Sequence, residues 1–174
     1  MTTKTGRGGR LGKLTELIED IRIAMLTTAM PDGTLRSRPM ATQQTESDGD
    51  LWFFTQASAA KAEEIRANPH VNVSYASPRE NRYVSVSGTA TLVRDRRKME
   101  ELWDQLYEAW LPHGLENPDL ALLRVDVERA EYWDAPSGTM AEIAGLLKVP
   151  TPGGPSAAGE NEKIDLTSAE SGKE

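Results

Sequence analysis

Apolar residues recur along this chain at two different periods, and the places where one gives way to the other mark its elements. Leu14, Leu17, Ile18 and Ile21 fall at helical spacing, which predicts a short helix over about 13–21. Ile23 to Ala29 is rich in β-formers, and Met30-Pro31-Asp32-Gly33 after it is a turn signal, because proline presets φ and glycine accepts φ > 0. Leu35 to Thr42 reads as the returning strand. Ser47-Asp48-Gly49-Asp50 is a second turn, and Leu51 to Thr55 a third strand, so the three segments predict an antiparallel meander. Ser58 to Ala67 returns to helical spacing, with Ser58 as N-cap, Ala62 and Ile65 as a narrow apolar stripe and Asn68-Pro69 as the stop.

Further along, Val71, Val73 and Tyr75 alternate as a strand does, and so do Val84 and Val86, leading through Gly88 to Leu92 and Val93. Met99, Leu102, Trp103, Leu106, Tyr107 and Trp110 lie on one continuous helical face, ended by Leu111-Pro112-His113-Gly114. Leu122 to Val127 and Ala130 to Trp133 read as two last strand segments. Short turns and the absence of βαβ alternation disfavour a doubly wound sheet. The predicted architecture is mainly β: a six- to seven-stranded antiparallel barrel, closed or half-closed, with peripheral helices. Residues 1–10 are polar, glycine-rich and basic, and 150–174 open on a Pro/Gly run and hold only Ile164 and Leu166 as sizeable apolar residues. Both are expected to be disordered, which leaves 11–149 as the folded domain.

Charge and composition narrow the chemistry. Lysine and arginine number 20 against 27 aspartates and glutamates, a net charge of −7 over 174 residues. That balance argues against a general nucleic-acid binder. The lack of cysteine excludes disulfide frameworks, thiolate nucleophiles and cysteine-ligated metals. No apolar run approaches the roughly 20 residues of a membrane span, and no apolar signal core opens the chain, so the expectation is a cytoplasmic protein without membrane contact. Neither His70 nor His113 has another histidine near in sequence, no carboxylate spacing resembles a metal motif, and no metal site is expected.

Three features have both a bland and a functional reading. Arg36 and Arg38, two apart on a strand, share one face: either a solvated face or a pair of guanidinium forks matched to phosphate oxygens. Lys61 sits in the first turn of its helix, at the electrostatically wrong end. It either hangs into water or answers an anion at the helix start. Trp133, at a strand end before a loop, packs either on a flat ligand or across a subunit boundary. The stripe of Trp103, Tyr107 and Trp110 reads as core.

Taken in order, Gly33-Thr34-Leu35-Arg36-Ser37-Arg38-Pro39-Met40, Leu51-Trp52-Phe53-Phe54-Thr55 with Lys61, Glu64, Ile65, Asn68 and Pro69, Tyr83-Val84-Ser85-Val86-Ser87-Gly88, Trp110-Leu111-Pro112-His113-Gly114 and Glu131-Tyr132-Trp133 resemble the pyridoxamine 5′-phosphate oxidase-like superfamily of FMN-binding split β-barrels. The likeness is to its general stress protein branch and spans about Leu14 to Gly138. The resemblance implies an obligate homodimer with two FMN molecules in clefts between subunits. It also implies a flavin-dependent oxidoreductase with an unidentified small-molecule redox partner. The alternatives it leaves are a non-catalytic flavin carrier or stress-response protein, and a relative that holds F420 or haem. By position, Arg38 and Lys61 would hold the FMN phosphate. Met40, Ala41, Phe54 and Thr55 would line the flavin through backbone and side chain, and Trp133 would reach the partner's flavin. Tyr83 and Ser85 lie on the strand that faces the partner's cofactor in the family.

Two departures matter. Relatives often carry serine two positions before the lysine, where this chain has Ala59, so either Ser58 or a backbone N–H takes that contact. True pyridoxamine phosphate oxidases place cations after the tryptophan, and the run from Asp134 to Met140 has none. Oxidation of pyridoxamine phosphate is therefore not expected. No catalytic acid or base is assigned.

Overall fold

The computed structural model describes residues 7–43, 49–134 and 160–166. Its elements in chain order are α1 (Arg7–Ile18), β1 (Ile23–Ala29), β2 (Leu35–Ala41), β3 (Leu51–Gln56), α2 (Ala60–Ala67), β4 (His70–Ser77), β5 (Arg82–Val93), α3 (Arg96–Leu102), β6 (Leu120–Asp134) and β7 (Glu160–Asp165). The strands form one antiparallel sheet in the order β2-β1-β4-β5-β6-β3, with β7 paired to the half of β6 that β3 leaves free. β2 and β3 end that order, yet the Gln43 N–H just past β2 donates to the Trp52 carbonyl of β3 at 3.2 Å. The sheet thus curls into the expected split barrel.

Period-2 alternation sets the two faces of the sheet. On β1, Ala24, Leu26 and Thr28 are buried, while Ile23 and Met25 are exposed. The registers align one inward row, Arg38–Leu26–Val73–Val86–Ala130, and one outward row, Pro39–Met25–Ser74–Ser85–Glu131, each across five strands. Leu14, Leu17 and Ile18 of α1 close the inward face. β3 does not alternate: Leu51 to Thr55 are all buried. Leu51 and Phe53 join the main core, whereas Trp52 and Phe54 join a second apolar cluster with Met99 and Leu122.

Gly88 marks a register shift between β5 and β6. A Cβ there would lie 2.0 Å from the Asp126 carbonyl oxygen, so only glycine lets the strands approach this closely. The two segments expected from Leu122 to Trp133 are one continuous strand, bulged at this point.

Five further expectations need correction. β3 pairs along its length with β6 and not with β2, so the first three strands are a hairpin and a separate strand rather than a meander. α1 starts at Arg7, so residues 7–10 are helical despite three glycines between Gly8 and Gly12. Leu11 docks against Gly49, where a Cβ would sit 2.4 Å from its Cδ2; this burial extends the helix beyond what propensity supports. Residues 160–165, expected to be part of a disordered tail, form β7. Its Ile164 and the following Leu166 enter the core, and the Leu166 N–H donates to the Glu128 carbonyl at 2.7 Å. The single helix expected through Trp110 breaks at Trp103 and resumes as a 3₁₀ turn over Gln105–Ala109. The break lets Trp103 and Tyr107 both reach Phe54, at centroid distances of 5.2 and 5.5 Å, and leaves Trp110 81% exposed rather than in the core. Finally, α2 is capped by Ala59, with no side-chain bond, and not by Ser58.

Candidate functional site

β2 ends the inward row of the sheet, so its inward side chains meet α2 instead of another strand. Met40 is far enough in to be core, and Arg38 and Arg36 lie successively nearer the rim. On α2, Lys61 and Glu64 are three residues apart and share a face. Glu64 is 6% exposed, and it is the one buried acid among the described residues.

The Glu64 carboxylate gathers three donors from two strands. Its Oε2 accepts from the Thr28 hydroxyl of β1 at 2.6 Å and from Arg38 Nη2 at 2.6 Å. Its Oε1 accepts from Arg36 Nη1 at 3.1 Å. Arg38 Nη1 also donates to Thr28 Oγ1 at 2.5 Å, which closes a ring of Arg38, Thr28 and Glu64. The Thr28 hydroxyl bond, with the two guanidinia, holds the Glu64 carboxyl below its usual range against the opposing effect of burial.

Lys61 stands beside this ring without an ion pair or hydrogen bond among the described residues. Burial, and then the charge of Arg38, push its ammonium below the ordinary lysine value, while Glu64 pulls it back up. Three cations and one carboxylate leave the corner with a net charge of two positive. Among the described residues, the Ala60 and Lys61 N–H groups, in the first turn of α2, have no backbone acceptor. A shallow groove lined by Thr27, Thr28, Leu35, Asn68, Asn72 and Arg129 shares Thr28 with this corner.

The loop between β3 and α2 is pinned from outside. Asp119 Oδ1 accepts from the Ser58 N–H at 3.1 Å, Oδ2 accepts from the Ser58 hydroxyl, and the Asp119 carbonyl accepts from the Ala57 N–H at 2.8 Å. The Ser58 proton is therefore committed to Asp119, which leaves backbone N–H groups as the alternative for the contact that relatives make with serine.

The remaining expected residues lie elsewhere. Met40 and Phe54 turn their side chains into apolar clusters. Thr55 is buried, and its hydroxyl donates to the Gln56 carbonyl at 3.4 Å. Ala41 faces outward opposite Ile23. Tyr83 and Trp133 are direct partners across β5 and β6 on the outward face, and Ser85 Oγ accepts from Asn72 Nδ2 at 2.8 Å. The chain thus brings Arg38 and Lys61 together, but leaves Tyr83, Ser85 and Trp133 on the opposite face of the sheet, on β5 and β6. Glu64, Thr28 and Asp119 were not anticipated as site residues. The Lys61–Glu64 spacing was the available signal for Glu64; Thr28 and Asp119 gave none.

A family model described as pyridoxamine 5′-phosphate oxidase like matches residues 10–154. The chain belongs to the pyridoxamine 5′-phosphate oxidase-like family. Among curated proteins, it is 27% identical to protein bli-3 of Neurospora crassa over 165 residues, which are 89% of this chain and 79% of that one. Among solved structures, it resembles the general stress FMN/FAD binding protein of Xanthomonas citri at 29% identity and TM-score 0.63, covering 72% of this chain and 89% of that one. General stress protein 26 from Bacillus anthracis shares its fold at 24% identity and TM-score 0.63, over 70% of this chain and 92% of that one. These likenesses to family members agree with the split-barrel topology. No described helix is long and apolar enough to cross a membrane.

Proposed function

We propose that this protein binds FMN, with the phosphate at the Arg38–Lys61 corner, and acts as a flavin-dependent oxidoreductase on a small molecule. The observation that carries this reading is the corner's net charge of two positive, which matches a phosphate monoester dianion. The donor set fits such a group: Arg38 keeps N–H groups beyond the two engaged by Thr28 and Glu64, and among the described residues Lys61 has no ion pair or hydrogen bond and two α2 amides have no backbone acceptor. The name of the Xanthomonas citri relative supports a flavin as the rest of the ligand. When bound, FMN supplies hydride and electron transfer; the chain's share is to hold the phosphate, enclose the ring and exclude water.

A homodimer completes this reading. In one chain, Trp133, Tyr83 and Ser85 face away from Arg38, so they serve a flavin only if it is the partner's. The outward face that carries them also carries Ile23, Met25 and Leu35, which are 53%, 41% and 72% exposed and suit burial against a second copy. Pyridoxamine phosphate is not the proposed substrate, because the sequence from Asp134 to Met140 supplies no cation for its phosphate.

The test is purification followed by an absorbance spectrum, a native mass and identification of any released ligand. A yellow dimer that releases FMN is expected. A colourless monomer that takes up no added FMN sinks the reading. Oxidation of NADH or NADPH by the holoprotein then distinguishes an enzyme from a flavin carrier.

A further inference from the structure

A carboxylate buried between two arginines and a lysine is an odd furnishing for an anion site. Glu64 has no solvent to turn to, since it is 6% exposed, and it lies on the helix face that carries Lys61. Read as stability alone, it is an ion pair whose desolvation cost offsets much of its Coulomb gain. Its geometry does something more specific. A guanidinium has five N–H donors in a rigid plane. Fixing two of them, one on each Nη, fixes the directions of the other three. In Arg38 these two go to Thr28 at 2.5 Å and to Glu64 at 2.6 Å, and Thr28 in turn donates to Glu64 at 2.6 Å.

We propose that Glu64 is a positioning residue for the anion site: with Thr28, it locks the Arg38 guanidinium in one orientation before the phosphate arrives, and so sets the preference for a phosphorylated flavin. This rests on the reading of the corner as the FMN phosphate site. An unconfined arginine side chain loses rotamer entropy when a ligand fixes it. The ring confines it during folding, so the ligand does not have to. Glu64 also faces Lys61 across one helical turn, opposite Arg38 and Arg36 of β2, and its negative charge opposes the burial and the Arg38 charge that push the lysine ammonium below its ordinary value.

A competing effect has the opposite sign. Removing the carboxylate raises the net charge of the corner from two to three positive, which attracts an anion more strongly. The uncovered charge is shared between Arg36, whose side chain is 51% exposed and therefore screened by water, and Arg38, which is 17% exposed. Losing the fixed Arg38 geometry outweighs it.

The experiment measures apoprotein affinities for FMN and for riboflavin by flavin fluorescence, in the wild type, Glu64→Gln, Thr28→Val and Arg38→Ala. The two ligands differ only in the phosphate, so a general loss of stability moves both and leaves their ratio alone. Glu64→Gln is expected to reduce the preference for FMN about tenfold, with riboflavin unchanged. Thr28→Val removes one side of the ring and is expected to reduce it severalfold; it carries the test if Glu64→Gln fails to fold. A ratio that stays within about twofold of wild type, or that rises because the carboxylate had competed with the phosphate, overturns the proposal. Arg38→Ala separates the two levels. If it leaves the ratio unchanged, the phosphate reading itself is wrong. If it abolishes the preference while Glu64→Gln does not, only the role of Glu64 falls.

Discussion

Two corners flank the segment from β3 to α2, and they are built on opposite principles. At the strand end, Phe54, Trp103 and Tyr107 pack together, Trp103 edge to face with each of the other two, with ring centroids 5.2 to 6.0 Å apart. At the helix end, Arg38, Thr28 and Glu64 close a ring of charged hydrogen bonds beside Lys61. The aromatic corner satisfies itself: its rings pack on one another. The charged corner does not. Its surplus of two positive charges is what folding left over, and a surplus held in a fixed place marks a binding site more reliably than exposed charge does.

If the corners divide the work in this way, substitutions in them should have different readouts. The largest stability effect belongs to the aromatic corner. Trp103→Ala is expected to cost about 3–5 kcal/mol, read as a shift in denaturant midpoint, with the FMN to riboflavin affinity ratio unchanged. A matching change in that ratio would erase the distinction. Arg38→Ala is expected to weaken FMN binding by about 1.5–3 kcal/mol, or roughly ten- to a hundredfold, while riboflavin binds as before.

A pH series sharpens the comparison further. The Glu64 carboxyl titrates below its ordinary value of 4.5, so its contribution to stability is complete above that value and is lost as pH falls through its folded-state value. Denaturant midpoints between about pH 5 and pH 3 should therefore fall further in wild type than in Glu64→Gln. Parallel curves would mean that the carboxylate is not held as described. The smallest effect is expected at the edge of the aromatic corner: Trp110, 81% exposed, should tolerate alanine within about 0.5 kcal/mol. A large loss would show that it belongs with Trp103 after all.

The strands were legible in the sequence because alternation is a local property. β1, β4 and β5 bury every second residue as the pattern predicts. β7 was not legible, since two apolar residues in a polar stretch are a weak signal until the free edge of β6 is known to await them. Trp110 was misplaced because helical spacing persists across Trp103, where the helix stops; what decides the break is the reach to Phe54, a contact nearly fifty residues distant in the chain. Arg38 and Lys61 were visible as a pair because a family pattern joins them. Thr28 and Asp119 were not, because ordinary residue types took their roles only through pairing across the sheet and across loops.

The last strand has a practical consequence for anyone trimming this protein. A variant cut after Val149, at the boundary that composition suggests, would strip the neighbour from the distal half of β6. It would also open the seats of Ile164 and Leu166 to water. Bare backbone donors and acceptors beside newly uncovered greasy hollows invite another molecule to dock edgewise, so the shortened form should clump where the full chain stays dispersed.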